Sequence, residues 1–433
     1  MGRRRQHAPL RVYLNNRLVG HLVKEPGGSI FFQYDETWLA WEHAFPISLS
    51  LPLRETAYRG TPVAAVFENL LPDSNLLLRR IAEKVGAHGT DAYSLLSAIG
   101  HDCVGALQFV AEGIAPNTDS TAISGEPVNE HEIEKLLGNL AQSPLGLNRS
   151  DDFRISVAGA QEKTALLWHQ GQWLKPHGTT PTSHILKPQI GQLPNGIDLS
   201  NSVENEFYCL KLMEAFGLPV NPVEIQTFGK IKALVIQRFD RRWTKDGRLL
   251  RYPQEDCCQA LSIPPTQKYQ SDHGPGMVDI LNLLKGSDRP TEDQTLFLKA
   301  QILFWLICAT DGHAKNFSIF LRPGGRYALT PLYDILTAQP SLDAHQIKRK
   351  QMKLAMSVGK NNHYRIDEIY SRHFVQSAHQ AGLSKILAHT TLEEISDTAQ
   401  NALQKIENIL PKGFPEEIHT SVSKVIKERL KKI

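Results

Sequence analysis

The sequence lacks the features that would place a chain in or across a membrane. The apolar run Leu303–Ala309 is far too short to span a bilayer. Three arginines near the N-terminus (Arg3, Arg4 and Arg5) are not followed by an apolar segment, so a secretory signal is not expected. Position 6 is Gln6, which breaks the myristoylation pattern. We therefore predict a chain without a membrane partner.

Cysteine and net charge are also scarce. The five cysteines are scattered and lack C-x-x-C spacing, which argues against a structural zinc site or a disulfide framework. Cys257 and Cys258 are adjacent, and we interpret them as buried thiols in a reducing compartment. This predicts a cytoplasmic protein. A formal net charge of +3 over 433 residues neither requires nor excludes a nucleic-acid partner.

The pattern of the 433 residues predicts an α/β (α+β) fold with more than one domain. An antiparallel meander is predicted over residues 11–34, a helix over Ser74–Val85 capped by Asp73, and a loop over residues 112–127. Strands are predicted at Thr164–Trp168, Gln172–Lys175, His184–Pro188, Val223–Phe228 and Lys232–Phe239, with a helix at Asn201–Phe216. After Arg242 the pattern is mostly helical, with helices at Asp279–Leu284, Gln294–Ala309, Ile366–Tyr370, Phe374–Gly382, Leu392–Ile409 and Glu416–Leu430.

These patterns predict four regions. They are an N-terminal β-rich module with helices (1–115), a linker with a short helix (116–150), a small nucleotide-binding lobe (151–242) and a helical catalytic lobe (243–433). One helix among antiparallel strands is the layout of a kinase small lobe. We therefore expect a kinase-like, two-lobed core.

The strongest functional motif lies between positions 309 and 334. Asp311 and Asn316 have the D-x-x-x-x-N spacing of a kinase catalytic loop, in which the Asp accepts the acceptor's proton and the Asn holds Mg²⁺. The residues after Asn316 are typical of a β-hairpin, which would return Asp334 to the side of Asn316 as a second Mg²⁺ ligand. Each Asp alone is more often a turn residue. The spacing, the preceding apolar helix and the hairpin together favour a phosphotransferase site.

Other residues fit a nucleotide site less specifically. Small side chains at Ala158, Gly159 and Ala160 would let backbone N–H groups approach phosphates, although an ordinary turn is the alternative. Lys187, in a predicted strand, could neutralise phosphate charge or be exposed. Either Glu204 or Glu206 could pair with this lysine. Gln237–Phe239 ends the last small-lobe strand, where a hinge would contact adenine.

Two residues of the catalytic motif have alternative roles. His313 could fix the shape of the loop or handle protons, and we favour the structural role because Asp311 already occupies the base position. Lys315 could offset transition-state charge at the γ-phosphate.

Five segments together resemble the HipA family, serine/threonine kinases that are the toxins of HipA–HipB toxin–antitoxin modules. The segments are ISVAGAQEK (Ile155–Lys163), HILK (His184–Lys187), RFDRR (Arg238–Arg242), TDGHAKNF (Thr310–Phe317) and PLYD (Pro331–Asp334). Two departures concern Gln237, where the best-known member has glutamate, and Ile335-Leu336, which replace the Phe-Gly that follows the metal-binding Asp of typical protein kinases.

The resemblance implies ATP and Mg²⁺ as cofactors and Asp311 as the catalytic base. It implies Asn316 and Asp334 as metal ligands, and Ser156 as a site of inactivating autophosphorylation. It implies as nucleotide-binding residues Ala158, Gly159, Ala160, Gln161, Glu162, Lys163, Lys187, Gln237, Arg238, Phe239, His313, Ala314, Lys315, Asn316, Tyr333 and Asp334. It further implies a HipB-type antitoxin dimer, operator DNA bound through that complex, and glutamyl-tRNA synthetase as a substrate in translation.

Two other functions remain open on sequence grounds. One is a small-molecule phosphotransferase with a kinase-like core, which would use the same Asp and Asn. The other is a DNA-binding co-repressor whose kinase site is a relic, which the intact Asp311, Asn316, Asp334 and Lys187 argue against.

Overall fold

The computed structural model describes residues 7–111, 123–148 and 152–433, and these have mixed α/β structure. The strands are β1 (Leu10–Leu14), β2 (Arg17–Lys24), β3 (Ile30–Tyr34), β4 (Tyr58–Arg59), β5 (Leu107–Val110), β6 (Gly125–Val128), β7 (Thr164–His169), β8 (Gln172–Pro176), β9 (His184–Pro188), β10 (Gly191–Gln192), β11 (Asp198–Leu199), β12 (Val223–Phe228), β13 (Ile231–Gln237), β14 (Arg241–Trp243), β15 (Leu249–Arg251), β16 (Gln254–Asp256), β17 (Ser318–Arg322), β18 (Arg326–Leu329), β19 (Lys353–Val358) and β20 (His363–Arg365). The helices are α1 (Glu36–Leu39), α2 (Thr61–Glu68), α3 (Asn75–Val85), α4 (Ala92–Ile99), α5 (Glu130–Gly138), α6 (Ser202–Ala215), α7 (Cys257–Ala260), α8 (Met277–Leu284), α9 (Pro290–Ile307), α10 (Gln339–Asp343), α11 (Ser371–Gln380), α12 (Lys385–Glu407) and α13 (Glu416–Leu430).

The chain forms two compact units, each assembled from separate stretches of sequence. The first unit comprises Met1–Pro188, Gln226–Thr266 and Ile319–Arg326. The second comprises Gln189–Ile225, Gln267–Ser318 and Tyr327–Ile433. The four regions predicted from the sequence, with boundaries at residues 115, 150 and 242, stay a prediction.

The N-terminal sheet has the strand order β4-β3-β2-β1-β5. Its strands pair antiparallel, and β1 and β2 align Leu10 with Leu22. Residues two apart on a strand face the same side of a sheet, so Leu10 and Val12 both enter the core with Leu22 and Phe32. The ring of Phe32 lies 5.6 Å from that of Phe67 on α2. The predicted opening meander is confirmed.

The helices that follow begin close to their predicted caps. The cap of α3 is Ser74, whose side chain accepts a hydrogen bond from Leu77 N at 3.4 Å, so the prediction of Asp73 as the cap is wrong by one residue. A cap oxygen bonds the N–H two or three positions on, and here Ser74 has that spacing. Gly86 ends α3 with a left-handed backbone, and Asp91 caps α4.

A second large sheet has the strand order β12-β13-β9-β7-β8-β6. The strands predicted in this region are confirmed, and α5 covers part of the sheet through Ile133 and Leu137, which pack against Leu166, Leu186 and Val235. Part of the predicted loop 112–127 lies outside the described residues. Its last residues are not loop but belong to β6, which tolerates Pro127 because β6 is an edge strand.

The second unit is built around α9, which packs against α8, α11, α12 and α13. Every residue of α9 from Phe297 to Ile307 is buried, as expected for a helix at the centre of a unit. Trp305 of α9 contacts Phe374 of α11 at a ring distance of 5.6 Å. In the described parts of the chain, no helix combines the length and the apolar character needed to cross a bilayer.

The region after Arg242 contains the predicted helices, with their ends shifted, and also short strands that were not predicted. One helix prediction is wrong: Ile366–Tyr370 is a single 3-10 turn over Ile366–Glu368. Ile369 has an extended backbone (φ −87°, ψ 138°), which ends that turn, and Tyr370 precedes α11 as its N-cap. All five cysteines are free and buried, which includes Cys257 and Cys258 as predicted.

Candidate active site

The predicted catalytic loop, Asp311–Asn316, follows the C-terminal end of α9. There the left-handed backbone of Cys308 (φ 60°) turns the chain away from the helix. Nη1 of Arg429, on α13, donates to the carbonyl oxygens of Trp305 and Leu306 at 2.7 and 2.9 Å. A guanidinium is favourable at this position because the last carbonyls carry the negative end of the helix dipole. The loop therefore starts from a fixed helix end.

Hydrogen bonds within the loop bring Asp311 and Asn316 together. The carbonyl oxygen of Asp311 accepts from His313 N and from Asn316 Nδ2, both at 2.8 Å. Asn316 N in turn donates to His313 O at 2.9 Å. Because Nδ2 of Asn316 is used inside the loop, its Oδ1 atom is the one available to a ligand.

Aromatic packing anchors both sides of the loop. Phe317 lies edge-on to Phe297 at 4.8 Å and contacts Phe304 at 5.8 Å. Gly312 packs so closely on Phe304 that a Cβ atom at position 312 would lie 2.5 Å from its ring. A side chain there would displace the loop from α9.

The chain returns to the loop after strands β17 and β18, which are neighbours in one sheet. Thr330 N donates to Ser318 O at 2.9 Å. The hydroxyl of Tyr333 then lies 2.6 Å from Ser318 Oγ and donates to the carbonyl oxygen of Lys315 at 3.0 Å. The predicted return is thus present, and it places Asp334, the next residue, beside the segment that carries Asn316.

Asn316 and Asp334 fit a hard cation. Amide and carboxylate oxygens are ligands that Mg²⁺ accepts, with phosphates and water completing its shell. Asp334 also has a positive φ of 57°, which is uncommon for residues other than glycine and is concentrated at functional sites. Their role as metal ligands stays a prediction.

The other loop residues are buried. The His313 ring is edge-on to Tyr269 at 4.9 Å, an arrangement that suits the structural role predicted for this histidine. Ala314 and Lys315 are also buried, and Ala314 N donates to Lys268 O at 3.4 Å.

The predicted phosphate loop, Ala158–Lys163, is in the first unit. Nζ of Lys163 donates to the carbonyl oxygen of Ala158 at 2.8 Å and so closes the loop. Gly159 has a φ of 104°, and a Cβ atom there would lie 2.6 Å from Lys163 Nζ. Only glycine suits this position. The loop also includes Ala160, Gln161 and Glu162, and Gln161 Nε2 donates to Pro188 O at 3.4 Å.

Ser156, the predicted autophosphorylation site, is fully buried in this structure. Its Oγ atom donates to Leu70 O at 2.7 Å, and its N–H donates to Asp102 O at 3.0 Å. Ile155 forms a parallel bridge with Asp102. In this conformation the serine is inaccessible to a kinase site.

Lys187 lies on β9, opposite Leu234 of β13, and is 5% exposed. The alternative of an exposed strand lysine therefore does not apply. In the second unit, Glu204 and Glu206 of α6 are both buried, and Glu204 accepts a 2.6 Å hydrogen bond from Gln189. The choice between the two glutamates as the partner of a lysine stays open.

The predicted hinge, Gln237–Phe239, begins at the last residue of β13 and continues beyond it, so the predicted strand end at Phe239 is two residues too far. The Gln237 side chain is exposed, whereas Arg238 is buried and its backbone N–H donates to Ser183 O at 2.9 Å. Phe239 lies edge-on to Phe320 at 5.6 Å. The Arg238 side chain points into the protein, so any nucleotide contact at this residue would use its backbone.

A buried charge cluster surrounds Arg238. It comprises three arginines (Arg238, Arg241 and Arg251) and two aspartates (Asp102 and Asp240), all buried. The Asp102 carboxylate accepts from Arg241 and Arg251 at 2.8 Å, and Arg238 Nε donates to Asp240 at 2.9 Å. Sequence analysis missed this cluster. Its one local signal is the segment Arg238–Arg242 (RFDRR), in which four of five residues are charged.

Electrostatics fixes the charges of the cluster. Burial alone would raise the pKa of Asp102, but the positive charges of Arg241, Arg251 and Arg238 outweigh burial and hold that pKa well below its usual value. Burial, together with the charge of Arg238, lowers the pKa of Arg241 to about 10. Asp102 and Arg241 are therefore both charged at neutral pH.

Comparison with known proteins identifies the family. The HipA-like C-terminal domain model matches residues 155–403, and the HipA N-terminal domain model matches residues 10–110. The chain is 33% identical over 407 residues to the Sinorhizobium fredii protein named "Putative kinase Y4mE", covering 92% of this chain and 91% of that protein. It is 27% identical over 417 residues to the serine/threonine-protein kinase toxin HipA of Shewanella oneidensis, covering 93% and 90%.

The fold is shared with a solved structure. HipA of Shewanella oneidensis, determined in a complex with HipB and its operator DNA, matches with a TM-score of 0.80 and 24% identity, covering 98% of this chain and 97% of that chain. The predicted α/β, kinase-like fold is thereby confirmed, and the relatives confirm the predicted enzyme class, a serine/threonine-protein kinase. The chain belongs to the HipA family.

Proposed function

We propose that this chain is the ATP- and Mg²⁺-dependent kinase toxin of a type II toxin–antitoxin system. It phosphorylates serine or threonine on a protein of the translation machinery, with glutamyl-tRNA synthetase as the expected substrate. It inactivates itself by phosphorylation of Ser156. A HipB-type antitoxin dimer neutralises it, and the complex binds operator DNA in the cytoplasm.

One observation carries the catalytic part of this proposal. Within the second unit, Asn316 Nδ2 bonds the backbone of Asp311, and Tyr333 bonds the backbone of Lys315. These bonds hold Asp311, Asn316 and Asp334 on neighbouring segments. A general base and two oxygen ligands are what phosphoryl transfer requires of the protein.

Each proposed site residue has a separate role in phosphoryl transfer. Asp311 accepts the proton of the acceptor hydroxyl as the oxygen–phosphorus bond forms and ADP leaves. Asn316 and Asp334 would hold Mg²⁺, which when bound neutralises phosphate charge. Lys187 and the backbone N–H groups of the loop Ala158–Lys163 bind the phosphates of ATP, and Gln237–Phe239 contact adenine.

The toxin–antitoxin part of the proposal is supported by the similarity of this chain to named relatives. The Shewanella oneidensis relative is named a serine/threonine-protein kinase toxin, and the matched structure contains HipB and operator DNA. These names support a toxin–antitoxin role and a DNA-bound complex for this chain. The translation substrate is supported by the family resemblance alone.

The burial of Ser156 supports the proposal that phosphorylation of this residue inactivates the kinase. A phosphate on its Oγ would add roughly −1.5 to −2 charges at neutral pH, in a buried place where Oγ now donates to Leu70 O. Such a charge cannot stay there without partners. The segment that carries Ser156 would move out of its buried position, and the adjoining loop Ala158–Lys163 would lose its nucleotide-binding conformation.

The catalytic proposal is tested by incubating the full chain with labelled ATP and Mg²⁺ and mapping any phosphoserine. Wild type should incorporate phosphate at Ser156. Asp311→Asn should abolish transfer while calorimetric ATP affinity persists, and Asp334→Asn should weaken Mg²⁺–ATP binding as well. Near-full incorporation by Asp311→Asn would refute the assignment of the base.

Two further measurements address the switch and the biology. ATP affinity should fall strongly in protein phosphorylated at Ser156, and equal affinity in both forms would contradict the switch. Expression without antitoxin should arrest growth, and Asp311→Ala should relieve the arrest. Equal arrest by both would favour the DNA-binding co-repressor, whereas transfer to metabolites but not to proteins would favour a small-molecule phosphotransferase.

A further inference from the structure

A tyrosine outside the catalytic motif contacts the proposed base directly. The hydroxyl of Tyr269 donates to Oδ1 of Asp311 at 2.5 Å, across a separation of 42 residues. Distances of about 2.5–2.7 Å are typical of an O–H group bonded to a carboxylate, and such bonds are roughly twice as strong as neutral ones. Both residues belong to the second unit.

The ring of Tyr269 is held against the same loop. It lies edge-on to His313 at 4.9 Å, with an angle of 88° between the rings. The neighbouring residue, Lys268, accepts a 3.4 Å hydrogen bond from Ala314 N through its carbonyl oxygen. Tyr269 therefore contacts the loop at Asp311 and His313, and its neighbour Lys268 contacts it at Ala314.

The segment that carries Tyr269 is itself fixed. Gly274 N donates to the carbonyl oxygen of Tyr269 at 2.9 Å, which closes a tight turn around the short 3-10 helix that follows. The side chain of Gln270 accepts a 2.7 Å hydrogen bond from Ser357 N on β19. These two hydrogen bonds hold in place the backbone that carries the Tyr269 hydroxyl.

We propose that Tyr269 is a positioning residue for phosphoryl transfer, an inference that rests on the proposed role of Asp311 as base. Its hydroxyl fixes the orientation of the Asp311 carboxylate by occupying Oδ1. The other oxygen, Oδ2, is then directed to the hydroxyl of the phosphate acceptor.

This arrangement has a kinetic consequence. Asp311 is exposed, so without Tyr269 its side chain is free to rotate among rotamers, and only some of these direct an oxygen toward the acceptor. Loss of the hydroxyl should therefore slow the chemical step. ATP binding should not change, because Tyr269 acts on the base and not on the nucleotide.

The test uses the full chain with labelled ATP and Mg²⁺, and it follows the initial rate of self-phosphorylation against ATP concentration. Tyr269→Phe keeps the ring on His313 and removes only the hydroxyl. We expect the saturating rate to fall about ten- to a hundredfold, which is less than the roughly 10²–10⁴-fold that a general base itself contributes, while KM for ATP stays within about twofold. Tyr370→Phe, which removes the hydroxyl of an exposed tyrosine in the same unit, should leave both parameters unchanged.

The outcomes separate this inference from the proposed function. A saturating rate for Tyr269→Phe equal to or above that of wild type would overturn the inference, and an increase would identify the hydroxyl as a competitor of the acceptor. A higher KM for ATP at an unchanged saturating rate would also overturn it. If Asp311→Asn retains full activity, the proposed base fails whatever Tyr269→Phe does. If Asp311→Asn is inactive and Tyr269→Phe equals wild type, only this inference fails.

Discussion

The hydroxyl of Tyr333 donates to the carbonyl oxygen of Lys315 over 3.0 Å. Each of these residues immediately precedes a proposed metal ligand, Asp334 in one case and Asn316 in the other. Ser318 Oγ lies 2.6 Å from the same hydroxyl and helps to orient it. One tyrosine therefore sets the spacing of the two oxygen ligands without supplying a ligand itself.

This relationship predicts that Tyr333→Phe will weaken the use of Mg²⁺. Losing a hydrogen bond costs about 0.5–1.5 kcal/mol, so the Mg²⁺ concentration for half-maximal rate should rise by up to about tenfold. Tyr327→Phe is a matched control, because its hydroxyl also bonds a carbonyl oxygen in this unit, that of Leu283, at 2.6 Å. Mg²⁺ titrations that shift equally for both variants would contradict the prediction.

Gly159→Ala should disable the phosphate loop. The left-handed φ of 104° and the 2.6 Å approach to Lys163 Nζ both oppose a side chain. We expect a loss of about 1–3 kcal/mol in the free energy of unfolding, with weaker ATP binding by calorimetry. Gly171→Ala shares the positive φ but has open space around it, so it should lose stability without losing ATP affinity. Unchanged ATP affinity in Gly159→Ala would remove this loop from the nucleotide site.

Glu255 should make stability depend on pH. Burial raises the pKa of this carboxyl to about 8, against an ordinary value of 4.5, and outweighs its hydrogen bond from Leu49 N. The folded state then binds a proton that the unfolded state releases. The stabilising contribution is therefore complete below pH 4.5 and is lost as the pH rises through 8.

Replacing Glu255 by Gln should remove this dependence, because an amide keeps the acceptor for Leu49 N and does not ionise. Denaturant unfolding of wild type and variant from about pH 4 to about pH 9 measures the difference, because this range includes both the ordinary pKa of 4.5 and the raised pKa of about 8. The free energies of unfolding of wild type and variant should converge at the acid end of this range and separate at the alkaline end. Parallel curves would show that Glu255 ionises normally.

Asp102→Asn should strongly destabilise the first unit. It removes a buried negative charge that accepts hydrogen bonds from Arg241 and Arg251, and breaking a buried pair in this way costs about 3–5 kcal/mol. Asp246→Asn breaks an exposed pair with Arg248 and should be nearly neutral. Equal melting temperatures for the two variants would contradict the prediction that the buried ion pairs of Asp102 contribute more to stability than the exposed pair of Asp246.

Contacts of the proposed site that are local in the chain could be predicted from the sequence. Asp311 and Asn316 are bonded within one loop, and a short hairpin returns Asp334, so spacing and turn patterns were sufficient. Contacts between distant positions were not predictable in this way. Tyr269 is 42 residues from Asp311 and Arg251 is 149 residues from Asp102, and no periodicity links such pairs.

The predictions of where helices begin, and of one short helix, were wrong for a different reason. Asp73 and Ser74 are adjacent and both are good caps, so the choice between them depends on backbone angles that composition does not contain. Likewise, the pattern of Ile366–Tyr370 suits a helix, but the segment is only one turn long, and a turn of that length is determined by its surroundings.

The bond between Arg429 and the end of α9 has a consequence for biosynthesis. Ribosomes make the chain from its N-terminus, so the carbonyl oxygen of Trp305 is synthesised 124 residues before the guanidinium that binds it. A nascent chain that already contains the whole catalytic loop still lacks the contact that secures the helix end from which the loop starts. For a kinase, late completion of the proposed catalytic segment would delay its action until α13, which carries Arg429, has been synthesised.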